Sequence, residues 1–213
     1  LLNIILLTLR VSGLALVISA VLGIPAGALL GVSRFRGRGT LVALVYTGMG
    51  LPPVVVGLAV YMIFSRHGPL GTLGWLFTPA AMISAQVIIA LPLVVGLTHA
   101  AIESLDPELR IQLRSMGASS FQEILALLGE ARDGVIAAVA AGFGGIVSEV
   151  GAAMLAGGNI EGQTRVLSTA IVLETRRGNF ALALALGGVL LSVTFAISVL
   201  LIRLRHRKVW IWK

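Results

Sequence analysis

The chain reads as an all-α integral membrane protein with five transmembrane helices, and three features of its sequence carry that reading. Mean hydropathy is +1.01 over 213 residues, with 57% hydrophobic and only 12% charged side chains, roughly half the charged share of a soluble domain. The apolar residues fall into five runs, each near the roughly twenty residues that a helix needs to cross a bilayer. The cations gather where those runs end and not over one face, so the net charge of +7 describes membrane topology and not nucleic-acid binding. Residues 1–213 read as a single transmembrane domain without a separate soluble part, an internal repeat or a low-complexity tract.

The first run, 1–32, carries one charge, Arg10, and ends at Arg34, Arg36 and Arg38. Basic residues that follow an apolar run argue for a span ending on the inner side and against a cleaved signal peptide. The chain opens on Leu1, which leaves room for a native start further upstream. Gly23, Gly27 and Gly31 recur every fourth residue, a spacing that lets helices approach closely within a subunit or between two copies. The second run, 40–64, contains Pro52, Pro53 and Gly57 and is expected to kink or break, because proline removes backbone donors. Broken backbone at membrane depth must pack in protein or line an aqueous path. Residues 65–79 read as an external loop, and the third run, 80–101, returns the chain inward with Pro92 inside it.

The stretch 103–133 is polar and reads as a helical hairpin. Asp106 suits an N-cap, Pro107 the first helical position and Glu108 the positive end of the dipole. Gly117 suits the left-handed turn that closes the first helix, and Ser120 with Glu123 has capping-box spacing for a second. Leu109, Leu113 and Met116 share one face of the first helix; Phe121, Ile124, Leu125 and Leu128 line a face of the second. An apolar tip offered to a partner and an amphipathic loop lying on the bilayer both fit this pattern.

The fourth run, 134–156, holds Glu149 among glycines and alanines, where a carboxylate must face protein or water. Proton carrier, gate and structural hydrogen bonder are three readings of that acid, the structural one preferred. Residues 157–178 are too polar to cross a bilayer unaided, and the last run, 179–203, ends in Arg203, Arg205, Arg207 and Lys208. On these assignments eleven cations lie inside (34, 36, 38, 110, 114, 132, 203, 205, 207, 208, 213) and five outside (10, 66, 165, 176, 177). The expected topology is N-terminus outside and C-terminus inside.

Catalytic motifs give no support for an enzyme. A P-loop needs a lysine within its glycine-rich loop, and the only lysines are Lys208 and Lys213. No G-x-S-x-G or H-E-x-x-H occurs, His67, His99 and His206 lie far apart in sequence, and the absence of cysteine excludes disulfides and thiolate metal sites. Neither a metal nor a cofactor is expected in this chain. A conduit driven from elsewhere and a self-sufficient proton-coupled transporter using Glu149 are the two function classes that fit; a structural scaffold leaves the broken spans without a use.

Leu105-Asp106-Pro107 followed by Met116-Gly117-Ala118-Ser119 resembles the coupling loop of ABC importer permeases of the type I fold. That family's Glu-Ala-Ala falls here on Ile111-Gln112-Leu113, and its later Leu-Pro on Gly129-Glu130. Leu51-Pro52-Pro53-Val54-Val55-Val56-Gly57 resembles the molybdate, tungstate and sulfate group. Ser148-Glu149-Val150-Gly151-Ala152, Gly157-Gly158-Asn159-Ile160, Thr164-Arg165-Val166-Leu167 and Leu173-Glu174-Thr175 resemble its tungstate branch. The resemblance covers nearly the whole chain. It implies a homodimer in the cytoplasmic membrane, two cytoplasmic subunits that hold ATP and Mg, and an extracytoplasmic oxyanion-binding protein. It implies coupling to the ATPase through Asp106, Gly117, Ala118, Ser119 and Phe121, and a path or gate at Pro52, Pro53, Glu149, Gly151, Asn159, Thr164 and Arg165. The implied cargo is a tetrahedral oxyanion, tungstate ahead of molybdate or sulfate. Arg165 would either attract it or pair with Glu161 or Glu174.

Overall fold

The computed structural model describes residues 1–206; Arg207, Lys208 and Lys213, counted above as inner cations, lie outside the described residues. Among the described residues all longer regular structure is α-helical. Three helices are unbroken and apolar enough to cross a bilayer: α1 (Leu2–Val32), α4 (Pro79–Glu103) and α10 (Phe180–His206). Helix α1 has 31 residues, roughly 46 Å at 1.5 Å per residue against about 30 Å of hydrocarbon, so it must tilt or protrude.

Helix α4 is the hub. It packs along α1 and also meets α2 (Arg38–Met49), α3 (Pro53–Phe64), α7 (Arg132–Val147) and α8 (Gly151–Gly157). The glycine stripe of α1 is what allows the closest of these approaches. A Cβ on Gly23, Gly27 or Gly31 would fall 2.9, 2.5 or 2.7 Å from atoms of Val94, Val95 and Ile102 on α4. The stripe thus packs within the subunit, the first of its two readings.

Two of the five apolar runs are not straight. Helices α2 and α3 bend by 98° across Gly50–Pro52, and counting each bent pair as one crossing brings the total to five. The expected kink at the prolines is a full break: Pro52 sits at the N-cap of α3 and Pro53 at its first position, so neither can donate to the turn before. The run 134–156, expected as one span, is also broken. Helices α7 and α8 bend by 61° at 148–150, with no proline there. Gly142, Gly144, Gly145 and Gly151 lower the cost of interrupting the helix.

The polar segment that follows is ordered. Gly158 (φ 72°) and Asn159 (φ 52°) reverse the chain in the left-handed region, and α9 (Leu167–Arg176) then packs on α10 and touches α1. The first N–H of α9, that of Leu167, donates to Thr8 Oγ1 at 2.9 Å, so α1 caps it. Sequence periodicity left α9 undivided within 157–178 because its buried residues, Leu167, Ser168, Thr169, Ala170 and Glu174, mix apolar and polar side chains in one short helix.

Candidate functional site: two broken spans and a capped hairpin

The two breaks meet. A Cβ on Gly57 would lie 2.6 Å from Ala152 Cα, and one on Gly151 would lie 2.6 Å from Val54 Cγ2, so α3 and α8 cross in near backbone contact at the points where their spans bend. Breaking a helix frees backbone groups that lipid cannot satisfy, and side chains supply the partners here. Glu149 Oε1 accepts from the Ala152 N–H at 3.2 Å, Ser168 Oγ donates to the Glu149 carbonyl at 3.0 Å, and Gln86 Nε2 of α4 donates to the Ile146 carbonyl at 3.2 Å. The geometry of Glu149 is therefore that of a structural acceptor at the bend. Gln86 and Ser168 escaped the sequence reading; a lone glutamine inside the apolar run 80–101 was the available signal.

Of the expected path residues, Glu149 and Gly151 lie at the crossing and Pro52 and Pro53 begin the helix that makes it, while Asn159, Thr164 and Arg165 belong to the turn between α8 and α9. Thr164 is fully buried; its hydroxyl donates to the Gly157 carbonyl and accepts from the Ile160 N–H. Arg165 Nη1 pairs with Glu161 at 3.1 Å, the ion-pair reading of the two offered. Glu174 instead accepts from Asn179 Nδ2 at 2.8 Å and Arg177 Nη1 at 3.0 Å. The hydrogen bond from Asn179 leads in holding its carboxyl below the usual range, against a burial that alone would raise it.

The hairpin forms as its caps dictate. Helix α5 (Pro107–Ser115) has Asp106 as N-cap, its carboxylate accepting from the Glu108 N–H at 2.9 Å, and Gly117 turns at φ 80°. Helix α6 (Ser120–Glu130) carries its capping box one residue earlier than expected, on Ser119 and Gln122 and not on Ser120 and Glu123. The reason is that Glu123 has other work. It is buried between Arg110 (Nε, 2.9 Å) and Arg114 (Nε, 3.0 Å) of α5, locking the two helices together. Burial pushes its carboxyl up, but the hydrogen bonds from Arg114 and Arg110 outweigh that and hold it below the usual range.

The apolar residues of the hairpin divide. Leu109, Leu113, Ile124 and Leu128 pack inward with Ala28, Ile102 and Leu127, whereas Met116 (84%) and Phe121 (69%) are exposed beside the turn, with Ile111 and Leu125. The exposed set forms an apolar tip on a rigid base. Arg110 Nη2 donates to the Val32 carbonyl at 2.7 Å, fastening α5 to the end of α1. Arg38 fastens the same region to α4, donating to the Leu30 carbonyl (2.8 Å), His99 Nε2 (2.9 Å) and Glu103 (3.1 Å). A guanidinium can only donate, so His99 Nε2 accepts and its proton sits on Nδ1, facing the Tyr46 hydroxyl at 3.3 Å.

The chain is 41% identical over 205 residues to a probable anion ABC transporter permease protein of Haloferax volcanii, covering 94% of this chain and 88% of that protein. It is 39% identical to the tungstate uptake system permease protein TupB of Peptoclostridium acidaminophilum, covering 96% of this chain and 90% of that one. A molybdenum transport system permease protein, ModB of Azotobacter vinelandii, is 32% identical, covering 90% of this chain and 88% of that one. The fold is that of the MetNI methionine ABC transporter in inward facing conformations, with a TM-score of 0.81 at 21% identity over 96% of this chain and 94% of that one. These findings bear out the type I ABC importer permease fold and do not favour the self-sufficient proton-coupled reading. With residues 23–209 matching its pattern, the chain belongs to the family of binding-protein-dependent transport system inner membrane components.

Proposed function

We propose that this chain is the permease subunit of an importer that carries a tetrahedral oxyanion, tungstate first, inward across the cytoplasmic membrane, driven by ATP hydrolysed in separate subunits. One observation carries the reading: the two broken spans cross at their bends in the same chain that presents a rigid apolar-tipped hairpin fastened to α1 and α4. Tungstate is favoured by the relatives of that name at 39% and 38% identity, against 32% for the molybdenum permease protein and 29% for a sulfate one.

In this reading two copies face each other with the α3–α8 crossings toward the path, N-termini outside and C-termini inside. Pro52, Pro53, Glu149 and Gly151 form the gate region; Asn159, Thr164 and Arg165 shape its outer approach. The hairpin, capped by Asp106 and Ser119 and turned by Gly117 and Ala118, docks Phe121 and its apolar neighbours in a groove of the ATPase, which holds ATP and Mg. Closure of the ATPase pair displaces the hairpins; the Arg110 bond to the Val32 carbonyl passes that displacement to α1, and Arg38, bonded to the Leu30 carbonyl, His99 and Glu103, ties α1 to α4. Glu149 acts as a hydrogen-bonded brace, because an ionised acid open to the path would repel a dianion.

Co-reconstitution into vesicles tests this. The chain with an ATPase subunit and a tungstate-binding protein should accumulate tungstate only when ATP is present; accumulation by the chain alone would contradict the reading.

A further inference from the structure

At the inner end of α1 two adjoining hollows, of about 690 and 390 Å³, open between α1, the end of α4 and the hairpin, and Ser33, Arg34, Pro107 and Arg110 line both. Four arginines face them (Arg34, Arg38, Arg110 and Arg114) against two carboxylates, Glu103 and Glu123. Three of the arginines are committed: Arg38 to Glu103, and Arg110 and Arg114 to Glu123. Arg34 has no hydrogen bond or ion pair among the described residues, although it is the cation shared by both hollows outside those pairs.

The approach to this cation is apolar. Leu22 and Leu29 are exposed on α1 seven residues apart, hence on one face two turns from each other, and Leu29 itself lines the larger hollow. An apolar stripe on a transmembrane helix that ends at an unpaired arginine, two residues beyond the helix terminus, has the layout of an acyl chain below a phosphate. We propose that this hollow holds the phosphodiester of an anionic phospholipid, with Arg34 as its ligand, Arg110 adding positive field and the acyl chain along Leu22 and Leu29. A free inorganic anion would match the charge but would gain nothing from the stripe. Since Arg110 ties α5 to α1, the lipid would sit under the base of the hairpin. The leaflet rests on the orientation proposed above; the binding itself does not.

The test is native mass spectrometry of the assembled transporter, titrated with phosphatidylglycerol, with phosphatidylcholine and with millimolar inorganic phosphate. Phosphatidylglycerol should be retained in preference to phosphatidylcholine, and Arg34→Gln should weaken its binding about fivefold, as the loss of one cation near a headgroup predicts. Arg34→Lys should largely preserve binding. Arg36→Gln should leave it unchanged, because Arg36 lines neither hollow. Arg34→Gln breaks no intramolecular bond, so folding is not at stake, and no arm depends on uptake. Equal retention of the two lipids, an equal loss in Arg36→Gln, displacement by inorganic phosphate, or retention by the isolated chain but not by the assembly would each overturn the assignment. The third result would give the hollow to a free anion, the last to a protein partner.

Discussion

Glu149 and Glu123 are both acids in an apolar chain, and their surroundings separate their roles. Glu149 offers one oxygen to the Ala152 N–H, and glutamine keeps such an acceptor. Glu149→Gln should therefore retain uptake within about threefold of the parent, whereas Glu149→Ala should lose about 1 kcal/mol of stability as well as uptake; transport assays beside thermal melting of the purified protein check both. Glu123 is different, because both of its oxygens are committed to arginines. Glu123→Ala should cost roughly 1–3 kcal/mol, the range for hydrogen bonds to charged groups, discounted for partners that are partly in solvent. Its carboxyl is held below the ordinary value in the folded protein, so its stabilisation is present at neutral pH and is lost as pH falls through that lowered value. Melting temperature against pH should accordingly flatten at the acid end in Glu123→Gln. Glu149 stood out in the sequence as a charge in an apolar run. Glu123 did not, because its spacing from Ser120 imitates a cap, and only the pairing of α5 with α6 reveals that Arg110 and Arg114, one helical turn apart, both point at it.

The helices divide between those that composition made plain and those that needed contacts. Prolines announce the break between α2 and α3, and Asp106-Pro107 with Gly117 announces the hairpin, because each acts through its own backbone. The bend between α7 and α8 has no such residue; it depends on glycines that permit it and on Gln86 and Ser168, distant in sequence, that satisfy it. Packing at the crossing is correspondingly intolerant. Gly57→Val puts side-chain atoms where Ala152 Cα already lies and should destabilise the protein by about 1–3 kcal/mol, visible in the melting of the detergent-solubilised chain; an unchanged melting temperature would show that α3 and α8 do not cross there. At the hairpin, Phe121→Ala together with Met116→Ala removes the two most exposed side chains of the apolar tip without touching the Glu123 clasp. Affinity for the ATPase subunit should fall by at least about tenfold, the scale of an interface anchor, while melting stays unchanged.

Taken together, the hub helix α4, the glycine stripe of α1 against it and the arginine bonds at their hairpin-side ends make the hairpin and the crossing parts of one body. The proposed topology rests on cation placement, and it can be read out cleanly because the chain has no cysteine. Phe121→Cys should be labelled by an impermeant reagent only from the inner side and Gly162→Cys only from the outer. The transmission of force through the hairpin has a sharper test in Gly117, whose φ of 80° costs a non-glycine residue roughly 1–2 kcal/mol and a β-branched one more. The measurement is tungstate taken up per ATP hydrolysed by the reconstituted Gly117→Val transporter. A stiff hairpin predicts continued hydrolysis with uptake reduced at least about tenfold; uptake coupled to hydrolysis at the parent ratio would contradict it.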